Sequence, residues 1–95
     1  MDKREDYLQR LEAQLKEWKA KIDQLEARTS MVSSETKADL MREIEALRRK
    51  KMVVKEKWSA LQKTGDEVWN TLAEGMEKAA AEMKQAIDKV IARFK

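Results

Sequence analysis

The sequence predicts an all-α protein, on the strength of three observations. The 95 residues include no proline and only two glycines, Gly65 and Gly75, so few positions interrupt a helix. Charged residues make up 41% of the chain and aromatic residues 5%. Apolar residues recur at helical spacing between the charges, which is typical of long helices and coiled coils. A chain of this length allows one domain, covering residues 1–95.

An apolar stripe runs along the first segment of the chain. Its members follow one another in alternating steps of three and four residues and are Leu8, Leu11, Leu15, Trp18, Ile22 and Leu25. This heptad spacing indicates a helix that buries one face against a partner helix. Oppositely charged residues four apart, such as Glu12 and Lys16, support the same helix.

A second stripe follows in the middle of the chain. It contains Leu40, Ile44, Leu47, Val54, Trp58 and Leu61. Lys51 stands at a stripe position where the pattern requires an apolar residue, and a lone polar residue there commonly sets helix register or oligomeric state. We expect the two stripes to form a seam through which the protein self-associates.

The segment between the stripes, residues 28–36, allows two interpretations. It contains no helix breaker, and about 100° of rotation per residue leaves Ile22 and Ile44 on nearly the same face. The favoured interpretation is therefore one helix from about residue 3 to 62. In the alternative, Ser33 or Ser34 caps a new helix, and an extra turn near 29–35 gives a three-helix bundle.

A turn is predicted at residues 63–66, before a second helix over about 67–94. Gly65 can end a helix with a positive φ or occupy a turn without steric penalty. Thr64 and Glu67 have the spacing of a capping box, and Asp66 adds negative charge to the first turn of the new helix.

The second helix has an apolar face that packs against the first. We expect this face to contain Trp69, Leu72, Met76, Ala79, Met83, Ile87 and Val90. At 1.5 Å per residue the first helix would be about 90 Å long and the second about 42 Å, so the second covers only half of the first. The uncovered half needs a second chain, and the favoured architecture is a helical hairpin that forms a coiled-coil dimer.

The composition argues against most catalytic chemistry. Histidine and cysteine are both absent, which removes Ser-His-Asp and Cys-His nucleophile systems and the imidazole and thiolate ligands of common metal sites. No glycine-rich phosphate loop occurs. We therefore expect no enzymatic activity, no cofactor and no bound metal.

Charge and amphipathicity leave two weaker functional hypotheses. Arg48, Lys51 and Lys55 share one helix face within the basic segment 48–57, and such a face can bind nucleic acid through its phosphates. The amphipathic helix over 66–95 could instead lie on a membrane surface. A solvated basic face and ordinary core packing are the simpler interpretations. No apolar stretch is long enough to cross a bilayer and no secretory signal is recognisable, so a soluble, cytoplasmic protein is expected.

Several segments resemble a family of small bacterial coiled-coil proteins associated with stress response. They are KREDY at residues 3–7, QLKEW at 14–18, IDQLEA at 22–27 and GDEVW at 65–69, together with Leu72, Gly75 and Ala79. Members are helical, with Ala, Lys and Glu, where this chain has Thr29 to Ser34. The resemblance implies a structural or interaction role without catalysis, and no functional residues to carry over. The predicted function is a self-associating structural or interaction protein.

Overall fold

The computed structural model describes residues 3–94, and they are helical apart from short connections. Helix α1 covers Lys3–Arg28, a 3-10 turn covers Thr29–Met31, α2 covers Ser34–Lys63 and α3 covers Asp66–Arg93. No strand occurs among these residues. The predicted all-α class is confirmed.

The long helix expected from about residue 3 to 62 is interrupted in the structure. Helix α1 ends at Arg28, and Val32 is extended, with φ −112° and ψ 168°. Ser33 then caps α2, its side chain accepting a hydrogen bond from the backbone N–H of Thr36 at 3.4 Å. Thr29 Oγ1 donates to the Glu26 carbonyl at 2.6 Å. Short hydroxyl side chains compete in this way with the helical backbone bonds, and the break lies where the alternative interpretation places it.

The three helices surround one apolar core. Helix α2 packs along both α1 and α3, whereas α1 and α3 contact each other less. The described chain measures 51 × 20 × 18 Å. Its buried apolar residues come from all three helices and are Leu11, Trp18, Ile22, Leu25, Leu40, Ile44, Leu47, Val54, Leu61, Met76, Met83, Ile87 and Val90. Burying one large apolar side chain contributes about 1.5–3 kcal/mol, so this core is the main source of stability.

The connection between α2 and α3 lies at the predicted turn, but its capping differs. Gly65 is the N-cap of α3 with φ −78°, so of its two predicted roles it takes the place in the turn and does not end α2 with a positive φ. The capping box is wrong, because no side chain caps α3 and Thr64 Oγ1 donates instead to the Ala60 carbonyl at 2.7 Å. Asp66 and Glu67 lie in the first turn of α3, as predicted.

Candidate functional site

The residues predicted to form a self-association seam lie in the core of a single chain. Most of them are buried, while Leu8, Leu15 and Trp58 are partly buried at its edge. Each stripe therefore has a partner helix within its own chain. That these stripes mediate self-association stays a prediction.

The apolar face predicted for the last helix is only partly buried in the structure. Met76, Met83, Ile87 and Val90 are buried, and Trp69 and Ala79 are partly buried. Leu72 differs, because 39% of it is exposed. It therefore lies at the rim of the packed face.

The three residues proposed to bind anions have different surroundings. Arg48 donates hydrogen bonds to Asp23 at 3.1 Å and to Glu26 at 2.8 Å, so its charge is engaged with α1. Lys51 and Lys55 line an open cavity of about 250 Å³ between α1 and α2. Among residues 3–94, Arg48 therefore has carboxylate partners that Lys51 and Lys55 lack, and binding of nucleic acid by the three residues stays a prediction.

Four lysines converge on this cavity. Lys16 and Lys19 come from α1, and Lys51 and Lys55 come from α2; Glu12, Leu15 and Trp58 complete the lining. Sequence reasoning missed Lys16 and Lys19, because only the folding of α1 back onto α2 brings the two pairs together. We call this cavity the lysine groove.

Lys51 is a partly buried cation of the lysine groove. Its pKa lies below the ordinary value of 10.5, first because burial disfavours the ammonium and then because Lys19 and Arg48 are nearby. The lowered pKa means that folding costs free energy at any pH where Lys51 is charged in the unfolded chain. The penalty is present at neutral pH and disappears as pH rises from the folded pKa to 10.5.

The carboxylate of Asp23 holds two of the neighbouring cations in place. Its pKa lies below the ordinary value because of hydrogen bonds first from Lys19, at 2.9 Å, and then from Arg48. This contribution to stability is present at neutral pH and is lost as pH falls through the folded pKa of Asp23. Asp23 thus partly neutralises Lys19, which lines the lysine groove, and the neighbouring Arg48, whereas the two groove lysines of α2 have no ion pair of this kind in the described part of the chain.

A second surface lies on the outer side of α2 and α3. Val68, Leu72, Gly75 and Ala79 follow one another along α3 in steps of four, three and four residues and share one face. Ala79 borders a cavity of about 120 Å³ together with Val53 of α2. Val53 is 48% exposed and Val68 52%. We call these five residues the α2/α3 apolar surface.

Neither a metal centre nor a membrane span is found in residues 3–94. No cluster of three or more acidic, histidine or cysteine side chains there could hold a metal ion. No helix of this part of the chain combines the length and apolar character needed to cross a bilayer.

Comparisons of the chain with protein-family models, with curated proteins and with solved structures gave no match. The resemblance to small stress-associated coiled-coil proteins therefore stays a prediction.

Proposed function

We propose that this protein is a non-enzymatic interaction protein that self-associates through the α2/α3 apolar surface. One observation carries the proposal: Val68 and Leu72 are 52% and 39% exposed on the face of α3 that also holds Gly75, which faces open space. Val53 of α2, which is 48% exposed, borders the same face beside Ala79. A single chain leaves these residues in contact with water. Apolar side chains grouped on one exposed face mark interaction sites, whereas scattered ones need no explanation.

Gly75 is the strongest individual indication of a partner. It lies inside α3, where glycine is less favourable than alanine by about 0.5–1 kcal/mol. A Cβ atom built on Gly75 would meet nothing within 4 Å, so packing within the chain does not require a glycine here. A helix from another molecule could approach the backbone closely at this position, with Ala79 offering a second small residue on the same face.

The order of large and small side chains on this face favours a second copy of the chain as the partner. An antiparallel pairing of two α3 helices about a two-fold axis near Gly75 places Leu72 of each copy opposite Ala79 of the other. A large side chain thus meets a small one in both halves of the pairing.

Replacing Leu72 by aspartate tests this assignment. A charge at the centre of the interface should raise the dimer dissociation constant at least about 30-fold, equivalent to about 2 kcal/mol. Gly75→Ala should weaken the dimer too, while raising the melting temperature of the monomer through its better helix propensity. Sedimentation equilibrium gives the dissociation constants, and thermal melts of dilute protein give the monomer stability.

Met52→Asp is the matched control. Met52 is 54% exposed but lies on α2 two residues before the buried Val54, about 200° around the helix from it. This variant should dimerise like the unchanged protein. A chain that stays monomeric at high concentration, or an equal effect of Met52→Asp, contradicts the proposal.

The membrane-surface hypothesis uses the same face of α3 and is an alternative outcome of this test. Anionic vesicles would then shift the fluorescence of Trp69 to the blue, and Leu72→Asp would abolish the shift. That result, in a chain that never dimerises, would assign the surface to lipid.

We further propose that each chain adopts the closed three-helix bundle in solution instead of an open hairpin. Contacts across α1 support it: Trp58 Nε1 donates to the Leu8 carbonyl at 2.9 Å, and the Tyr7 hydroxyl donates to the Ala73 carbonyl at 3.2 Å. Small-angle scattering of the Leu72→Asp variant should give a longest dimension near 51 Å. The open hairpin would give about 90 Å.

A further inference from the structure

We propose that the lysine groove binds one long-chain carboxylate, with the carboxylate between Lys51 and Lys55 and the hydrocarbon tail along Trp58 toward Leu8. This site lies between α1 and α2, away from the α2/α3 apolar surface. The proposal is independent of self-association, and either can fail without the other.

The groove is long enough for a chain-like ligand. A second open cavity of about 350 Å³ adjoins the lysine groove and shares Glu12 and Trp58 with it. Its other lining residues include Leu8, Gln9 and Gln62. From Glu5 to Lys19 the two cavities follow α1 for about 21 Å at 1.5 Å per residue. Together they fall within the range of ordinary small-molecule sites, roughly 300–1,000 Å³.

The charges along the groove give the ligand a direction. Glu5 lies at one end, and the four lysines lie at the other. Lys16 is 3.9 Å from Glu12, and Lys19 is 2.9 Å from Asp23, so α1 already supplies carboxylates to its own lysines. Within the described residues, neither Lys51 nor Lys55 has a carboxylate within ion-pair distance. An anionic head group therefore fits the lysines of α2.

Lys51 carries the specific part of the argument. It occupies a position of the apolar stripe between Leu47 and Val54, where its ammonium is partly buried beside other cations. Asp23 offsets this charge only in part and forms no ion pair with Lys51, so the ammonium is left without a direct carboxylate partner within the described residues. A bound carboxylate would accept hydrogen bonds from Lys51 and offset the repulsion from Lys19 and Lys55.

The apolar lining selects a hydrocarbon ligand over a free inorganic anion or a polyphosphate. Leu15 and Trp58 provide the floor, and the methylene stems of the lysines extend it toward the charged end. Glu12 in the middle of the groove would repel a second negative charge. The groove therefore suits a ligand that has one negative charge at one end and is otherwise apolar, and a fatty acid has this composition.

Dodecanoate, at concentrations where it is monomeric, is the probe for this site. Isothermal titration calorimetry on the unchanged protein should show saturable binding with one site per chain. Dodecanol has the same tail without a charge, dodecyltrimethylammonium has the same tail with a positive charge, and acetate has the carboxylate without the tail. Each should bind at least tenfold more weakly than dodecanoate. In a Trp18→Phe/Trp69→Phe variant, the emission of Trp58 should change over the same concentration range.

Lys51→Met separates the proposed role from a structural one. It should weaken dodecanoate binding about tenfold, because a charge-assisted hydrogen bond is lost. Its melting temperature should be equal to or higher than that of the unchanged protein, because methionine fits the apolar stripe. Lys37→Met, in the first turn of α2 and outside the groove, should leave binding unchanged.

Three results would overturn the proposal. Equal affinity for dodecanol or dodecyltrimethylammonium would mean adsorption to apolar surface without recognition of the carboxylate. Unchanged binding by Lys51→Met, in a variant that melts normally, would remove Lys51 from the site. An absence of dodecanoate binding combined with binding to anionic vesicles would mean that the basic groove recognises a membrane surface and not a single ligand.

Discussion

Replacing Ile22 by alanine is expected to lower the free energy of unfolding by about 2–4 kcal/mol. Ile22 is 0% exposed and belongs to the core shared by the three helices. The smaller side chain would leave a cavity that three packed helices cannot easily close. Urea denaturation followed by circular dichroism measures the effect.

Leu15→Ala is the comparison for this result. Leu15 lies on the same stripe but is only partly buried, beside the lysine groove. We expect a loss of about 1 kcal/mol, since the side chain is only partly buried and less apolar surface returns to water. If both variants lose stability equally, and the loss depends on protein concentration, the stripe is a seam between chains after all.

Replacing residues 29–33 by a strong helix-forming sequence, Glu-Ala-Ala-Lys-Ala, is expected to convert the proposed closed bundle into an open, domain-swapped dimer. The change removes the Ser33 cap, worth about 1 kcal/mol, and the hydroxyl bonds that end α1. A continuous helix cannot fold back, so α1 would pack onto the α2 and α3 of a second chain. Scattering should show a longest dimension of about 90 Å.

Ser33→Ala alone controls for the lost cap. It should lower stability by about 1 kcal/mol and keep the compact shape, because the other four connecting residues still favour a turn. A five-residue variant that stays compact and monomeric would show that contacts between α1 and α2 hold the bundle closed even without a favourable connection.

The sequence predicted the core well because helical periodicity is a local property. Ile22, Leu40 and Leu61 could be placed on buried faces by counting residues alone, and all three are buried. The partner of each face could not be predicted, since the stripe of α1 has the same spacing whether it meets its own α2 or another chain. That choice depends on contacts such as Arg48 with Asp23, which join residues far apart in the sequence.

The break near residue 30 could not be decided from helix propensity. Thr29 to Ser33 differ from good helix formers by a few tenths of a kcal/mol each, too little to favour one interpretation. The capping box failed for a similar reason, because the hydroxyl of Thr64 had a competing acceptor at Ala60. Of the four lysines of the groove, only Lys51 and Lys55 were singled out as possible binding residues, since Lys16 and Lys19 of α1 become their neighbours only after folding.

Arginine side chains pack over aromatic rings and form ion pairs at both ends of the bundle, whereas apolar side chains fill its middle. Arg4 lies over the Trp69 ring at 4.4 Å and pairs with Asp66 at one end. Arg28 lies over the Phe94 ring at 4.8 Å at the other end, where Arg93 pairs with Glu43. Exposed charge contacts are screened as the Debye length falls from about 10 Å at 0.1 M salt to about 3 Å at 1 M. Rising ionic strength should therefore weaken the contacts at the two ends and leave the apolar centre packed. The number of terminal residues that unfold from each helix should then increase with the salt concentration.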